Sequence, residues 1–219
     1  CYTTGSKYSI SFAYTRVYNS VSSKNYVNYS SISRSVNLNI WYTLELDYGN
    51  IRCPSVNMSM NKYYGRSFYC YPYTDSYSVT CSLTYSSFTD NHATTYSCLF
   101  LWQTGANFEI KSCNIIRNTQ GTLGSEGTIA TIGNLFVDDS CILENNANNI
   151  FYQENTNYRI FISNNTVDST SNNGYLIIRD TVLKSFIHAL NHMSTRNCHS
   201  EYDSAGTLTA FIQSPSSKN

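Results

Sequence analysis

The chain has 219 residues and no formal net charge; charged residues make up 13% of it, about half the usual quarter. With no basic run, nucleic acid is a poor fit as a partner. The longest strongly apolar strip, Cys98 to Trp102, is far short of the roughly 20 residues a membrane-spanning helix needs. The first residue is Cys1 rather than Met, so a processed product is expected, with any signal peptide or anchor outside it.

Residues 1–50 read as irregular N-terminal coils. Two segments there, Ile10-x-Phe12-x-x-Thr15-x-Val17 and Val36-x-Leu38-x-Ile40, weakly match a pattern that becomes regular over 51–180. Val56, Met58, Asn61 and Tyr63 precede Cys81, Leu83, Ser86 and Phe88 by 25 residues. Five columns then recur every 27 residues: Cys81/Phe108/Leu135, Leu83/Ile110/Val137, Ser86/Cys113/Ser140, Phe88/Ile115/Ile142 and Asn91/Asn118/Asn145. Ile160, Ile162, Asn165 and Val167 continue the pattern 25 residues further on. Alternation such as Phe108-Glu109-Ile110 marks a strand with one buried face. A second apolar strip follows in most units: Phe68 to Tyr71, Cys98 to Trp102, Thr128 to Ile132, Ile150 to Tyr152, and Leu176 to Ile178. No helical period is sustained before residue 181.

Short strands at this period predict an all-β chain, a right-handed parallel β-helix of roughly seven or eight coils. The L-x-x-L-x-L signature of leucine-rich repeats is missing, and a propeller blade needs about 40 residues. One domain is expected over 1–219, ending in a coil and a helical or loop cap over 181–219. At about 4.8 Å per coil the rod is roughly 35–40 Å long. Apolar columns stack inward, and the asparagine column forms an amide ladder. Asp90, Arg117 and Glu144 form an outward column of alternating charge. Gly121-Thr-Leu-Gly124-Ser-Glu-Gly127 lengthens one coil as a bulging loop.

Eight cysteines occur without a C-x-x-C pair, so zinc-ribbon spacing is absent. Cys53/Cys81, Cys70/Cys98 and Cys113/Cys141 lie 28 apart, close to one coil, and stacked residues fall within disulfide range. Cys70/Cys98 is the best of these pairs, since both sit on the second strip; in the 27-residue register Cys113 stacks on Ser140 instead. A ladder of buried thiols is the alternative. Cys1 and Cys198, without partners one coil away, suit intermolecular links in an end-to-end fibre. Sequons at Asn28, Asn57 and Asn164 are candidate sites for N-linked glycans.

Cys113-Asn-Ile-Ile-Arg-Asn118, Asp138-Asp-Ser-Cys-Ile-Leu-Glu-Asn145 and Ile162-Ser-Asn-Asn-Thr-Val-Asp168 resemble the surface or secreted right-handed β-helix proteins of parabasalid (trichomonad) protists. Lys184-Ser-Phe-Ile-His-Ala-Leu-Asn-His-Met-Ser194 and Asn197-Cys-His-Ser-Glu-Tyr-Asp203 are similar to the segment that follows the coils in that family. The resemblance covers roughly residues 80–215. It implies a pectate-lyase-like solenoid, an extracellular or cell-surface setting and a longer parent chain. It brings no catalytic residues with it.

Three chemistries compete with a structural role. Asp138, Asp139, Lys111 and Arg159 on adjacent coils are the best group for cleaving acidic sugars; a surface ion pair is the plainer reading. His188-x-x-x-His192 with Cys198 and His199 has metal-ligand spacing, but Ala189 stands where H-E-x-x-H has Glu, and a packed C-terminal cap is the plainer reading. Gly121, Gly124 and Gly127 lead into no helix, so they do not form a nucleotide loop. Tyr63, Tyr64, Tyr69, Tyr71, Tyr73 and Tyr77 suit contact with carbohydrate or a host surface. The sequence therefore leads to a non-catalytic extracellular β-helix, structural or adhesive, without catalytic residue, metal or cofactor. The alternative is a carbohydrate-active β-helix that binds or cleaves polysaccharide.

Overall fold

The computed structural model describes residues 2–4, 13–38, 41–121, 126–183, 200–202 and 208–210. Its described elements are all strands. Four stacks of parallel strands form a β-solenoid. Sheet I holds Lys24–Tyr26, Asn50–Pro54, Val79–Thr84, Asn107–Lys111, Asn134–Asp138, Ile160–Ser163 and Leu176–Arg179. Sheet II holds Tyr2–Thr4, Ser30–Ser33, Val56–Ser59, Ser87–Thr89, Asn114–Ile116, Cys141–Leu143, Thr166–Val167 and Val182–Leu183. Sheet III holds Ala13–Arg16, Tyr42–Asp47, Arg66–Tyr71, Leu99–Leu101, Ile129–Thr131, Phe151–Gln153 and Asn172–Asn173. Sheet IV is a short stack of Val36–Asn37, Lys62–Tyr63, His92–Ala93 and Thr119–Gln120. Ser200–Tyr202 and Leu208–Ala210 pair separately and antiparallel. Residues 184–199, where the cap was expected, lie outside the described residues.

The 27-residue register holds. Leu83 pairs with Ile110, Ile110 with Val137 and Val137 with Ile162, all fully buried. The upstream register does not. Cys81 stacks on Ile51, Leu83 on Cys53 and Phe88 on Met58. The motif there is Ile51-x-Cys53-x-x-Val56-x-Met58-x-x-Asn61, separated from its successor by 30 residues. The extra length lies between Tyr71 and Val79, which join sheet III to sheet I. Thr15 and Val36 sit in sheets III and IV rather than on a motif strand, and Ile10, Phe12 and Ile40 lie outside the described residues. Leu176–Arg179 belongs to sheet I, so it continues the motif instead of the second strip.

Two corners are built from single left-handed residues. Tyr29, Ser55, Tyr85, Ser112, Asp139, Asn164 and Asp180 turn the chain from sheet I to sheet II; Arg34, Met60, Asp90, Arg117 and Glu144 turn it out of sheet II. Positive φ in a non-glycine residue costs about 1–2 kcal/mol. The cost is met by continuity of the ladder. The N–H groups of Ser55, Tyr85 and Ser112 donate to Thr84, Lys111 and Asp138 one coil on, at 2.9–3.1 Å. Those of Met60, Asp90 and Arg117 do the same to Thr89, Ile116 and Leu143 at 3.0 Å. The alternating-charge column is therefore a corner column, and Arg117 grips Asp90 with two bonds of 2.7 and 3.0 Å.

After Met60, Asp90, Arg117 and Glu144 comes the ladder asparagine; after Arg34 it is Ser35, whose N–H donates to Asn61 Oδ1. Asn61, Asn91 and Asn118 each donate Nδ2–H to the Oδ1 of the next asparagine, ending at Asn145, at 3.0 Å. The same Oδ1 accepts the backbone N–H of the preceding asparagine at 3.0–3.2 Å. The remaining amide hydrogens reach the carbonyls of Ile32, Met58, Phe88 and Ile115. The small-residue column does this work at the other corner: Ser86 Oγ, Ser140 Oγ and Asn165 Oδ1 accept the N–H of Val56, Cys113 and Ser140.

Phe68, Phe88, Phe108 and Phe151 fill the interior with the aliphatic columns. Gly121 belongs to the packing, since a side chain there would collide with the Thr94 carbonyl. A second apolar cluster, Ile116, Cys141 and Leu143, stands apart from the main core on the outward side of sheet II.

The expected cysteine pairs do not form. Cys70 and Cys81 are joined instead, from sheets III and I of one coil. Cys53, Cys98, Cys113 and Cys141 are free and buried. The reason is register: Cys81 stacks on Ile51, Cys70 on Leu101 and Cys141 on Asn114. Cys113 is a corner residue whose thiol donates to the Leu83 and Lys111 carbonyls. Burial lifts the thiols of Cys53, Cys98 and Cys113 to about 12, and that of Cys141 to about 11.

Ile110→Asp should abolish cooperative folding, because it puts an uncompensated charge in the middle of a packed column; circular dichroism and denaturant titration read this out, and soluble two-state protein would break the column. Asn118→Ala strands the Asn91 N–H and the Phe88 carbonyl, so a loss of at least about 1–3 kcal/mol is expected in urea unfolding.

Candidate carbohydrate-binding face

The outward side of sheet III carries the most unusual chemistry of the molecule. Register places Tyr14, Glu45, Tyr69, Phe100, Ala130 and Tyr152 in one outward column on successive strands. A second column runs Arg16, Asp47, Tyr71. Alternation explains the placement: Leu44, Leu46, Phe68, Cys70, Leu99 and Leu101 point inward, and the residues between them point out.

The rings form a continuous strip. Tyr42 lies 4.4 Å from Tyr69, Tyr69 stacks on Phe100 at 5.9 Å, and Phe100 stacks on Trp102 at 4.7 Å. Tyr48 packs on Tyr71 at 5.4 Å. Trp41 meets Tyr64 and Tyr96 beside them. Tyr14 and Trp41 are about half exposed, at 49% and 48%.

An ion pair covers the middle of this strip, where Phe100 is only 2% exposed. Arg66 lies over Phe100 at 3.7 Å and Tyr96 at 4.4 Å, and reaches Glu126 with bonds of 2.7 and 3.3 Å. Ser97 Oγ donates to the same carboxylate at 3.1 Å. Both charges are buried, which is tolerated because the pair is bidentate and the acceptor is further satisfied. Glu126, in the glycine-rich insertion expected to bulge outward, thus lies against sheet III residues; residues 122–125 lie outside the described residues.

Two carboxylates interrupt the rings. Burial, reinforced by the neighbouring charge of Asp47, lifts Glu45 to about 6. Burial also raises Asp47, against the opposing pull of the Tyr14 hydroxyl, which donates to it at 3.0 Å, and of Arg16. Burial raises Tyr14 and Tyr42 as well, so the phenols stay neutral donors.

The other sequence candidates separate. Tyr63 is interior and Tyr77 fully exposed on the Tyr71–Val79 connection, while Tyr64, Tyr69 and Tyr71 join the strip. Lys111 and Asp138 form a surface pair at 3.6 Å. Partial burial pushes Asp138 up, but bonds from Asn164 and Ser163 and the Lys111 charge hold it below the usual range. Arg159 lies at the far end of the adjoining strand, over Tyr175 at 4.9 Å, so the proposed catalytic group does not converge. Asn28, Asn57 and Asn164 are all exposed, Asn164 at a left-handed corner. Cys1, His188, His192, Cys198 and His199 lie outside the described residues. Among the described residues no group of three or more His, Cys, Asp or Glu could hold a metal, and no helix is long and apolar enough to cross a membrane. Comparison with protein-family models, curated proteins and solved structures found no match.

The raised Glu45 has a consequence for stability. A carboxyl whose folded value lies above its unfolded one favours the fold when protonated. That contribution is complete below about 4.5 and is lost as pH rises through about 6. Melting temperature should therefore fall from pH 4.5 to 7 in the natural protein relative to Glu45→Gln; parallel curves for the two would refute the assignment.

Proposed function

We propose that this chain is a non-catalytic extracellular β-solenoid that adheres to carbohydrate through the aromatic face of sheet III. The observation that carries the reading is the set of part-exposed rings Tyr42, Tyr69 and Trp102, packed about a buried Phe100 that the Arg66–Glu126 pair covers. Tyrosine and tryptophan offer a flat apolar face for the C–H side of a sugar ring and a polar tip for its hydroxyls. Glu45, Asp47 and Tyr14 add acceptors and donors at the strip's edge.

Further features agree with this setting. The Cys70–Cys81 disulfide suits an oxidising compartment, as does the resemblance to protist surface proteins. Exposed Asn28, Asn57 and Asn164 would carry N-linked glycans away from the sheet III face. The coils are right-handed, as nearly all parallel crossovers are, and number seven to eight, in keeping with sheets of seven and eight strands.

One observation favours cleavage as a second reading: Glu45 and Asp47 share a face, and a carboxyl near 6 is suited to general-acid work on a glycosidic bond. A glycan array followed by calorimetry tests the first reading, and a reducing-sugar assay the second. Trp102→Ala and Tyr14→Ala should each weaken glycan binding about tenfold or more while the melting temperature holds. Binding unchanged in both folded variants would overturn the adhesive reading.

A further inference from the structure

We propose that the sheet III face selects a cationic glycan, one bearing protonated amino groups, and seats that amine at Glu45. This rests on the carbohydrate-binding reading above.

Glu45 is the anomaly of the face. It stands between Tyr14 on one neighbouring strand and Tyr69 on the other, with the Tyr42 ring packed against Tyr69. Among the described residues no hydrogen-bond donor and no cation reaches its carboxylate. The groups that could neutralise it are committed elsewhere. Tyr14 donates to Asp47 at 3.0 Å. Arg16 donates to the Tyr48 hydroxyl at 3.2 Å and lies over that ring at 4.8 Å. Arg66 is fixed in its pair with Glu126. Asp47, the nearest charge, has the same sign.

A half-buried carboxylate between two tyrosine positions, with no internal partner, matches one ligand chemistry well. An ammonium group gains both the carboxylate and the negative faces of the tyrosines. A neutral sugar would leave Glu45 unsatisfied. A polyuronate would add a like charge beside Glu45 and Asp47, which is costly at a partly desolvated site. Glu154, the remaining carboxylate toward the far end of the face, adds to the same sign. Charge complementarity therefore separates amino sugars from the acidic polymers that many β-helix enzymes cleave.

The test is calorimetry on the full chain with three oligosaccharide probes: N,N,N-trimethyl chitosan, fully N-acetylated chitin and oligogalacturonate. The trimethylated probe carries a charge that does not titrate. At pH 7.5 it should bind at least about tenfold tighter than the chitin oligomer, and oligogalacturonate should not bind. Its affinity should fall as pH is lowered through about 6, where Glu45 is protonated. Glu45→Gln should lose about tenfold for the cationic probe, a larger loss than it shows for chitin oligomer. Equal binding of cationic and acetylated probes, indifferent to Glu45→Gln and to pH, would overturn the amine preference and leave the adhesive reading standing. Failure of every glycan to bind folded protein would overturn both.

Discussion

A stacked coil must turn corners without abandoning the peptide groups buried in them, and the rest of this structure depends on how that is done. In the flat parts of each sheet, N–H and C=O groups pair between successive coils as a matter of course. At a corner the chain changes direction and some groups lose that alignment. The asparagines at 61, 91, 118 and 145 replace the missing partners with an amide of the same shape as a peptide unit. Each takes an N–H from the coil before and gives to a carbonyl of that coil. Buried polar groups are expensive when unpaired, so the ladder fixes the vertical register of the core columns beside it.

This explains which parts of the fold the sequence revealed. From Cys81 to Val167 the asparagines, small residues and apolar positions keep nearly constant spacing, and the register was legible residue by residue. Upstream, apolar alternation alone misled. Val56-x-Met58 on sheet II has the same pattern as Ile51-x-Cys53 on sheet I, and a shift of one sheet looks like a shift of one coil. Anchoring on Asn61, which continues the asparagine column, recovers the separation of 30. The insertion that upset the period sits in a connection, where length is cheap.

The cysteines teach the same lesson about parity. A spacing of 28 is one residue beyond the 27-residue register, and in a strand one residue reverses the face. Ile115 and Ile142 point into the core, so Cys141 points away from it. Cys113 precedes its strand and serves the corner through its thiol. The bond that does form, Cys70 to Cys81, joins opposite walls of one coil. No vertical period could indicate it, because it crosses the interior instead of following the stack.

The aromatic face was hidden for a related reason. Phe68 to Tyr71 and Cys98 to Trp102 are apolar at nearly every position, which in sequence looks like a strand buried on both faces. In the fold alternate residues line the core; of the others Phe100 is buried as well, while Tyr69, Tyr71 and Trp102 are part-exposed. The outward partners on sheet I are Arg52, Ser82, Glu109 and Phe136, and on sheet II Asn57, Ser87 and Thr89 lead the outer surface. On sheet III the equivalent places hold Tyr69, Phe100 and Trp102 with two carboxylates. Phe100 is buried under Arg66, whereas Tyr69 and Trp102 stay part-exposed, where rings are a solubility cost. The buried Arg66–Glu126 pair makes the case sharper, since an ion pair is a poor way to gain stability but a good way to fix the pose of what it touches. What it touches is Phe100 and Tyr96. The pair thus fixes the pose of rings on the outward side of sheet III, apart from the columns that fill the interior.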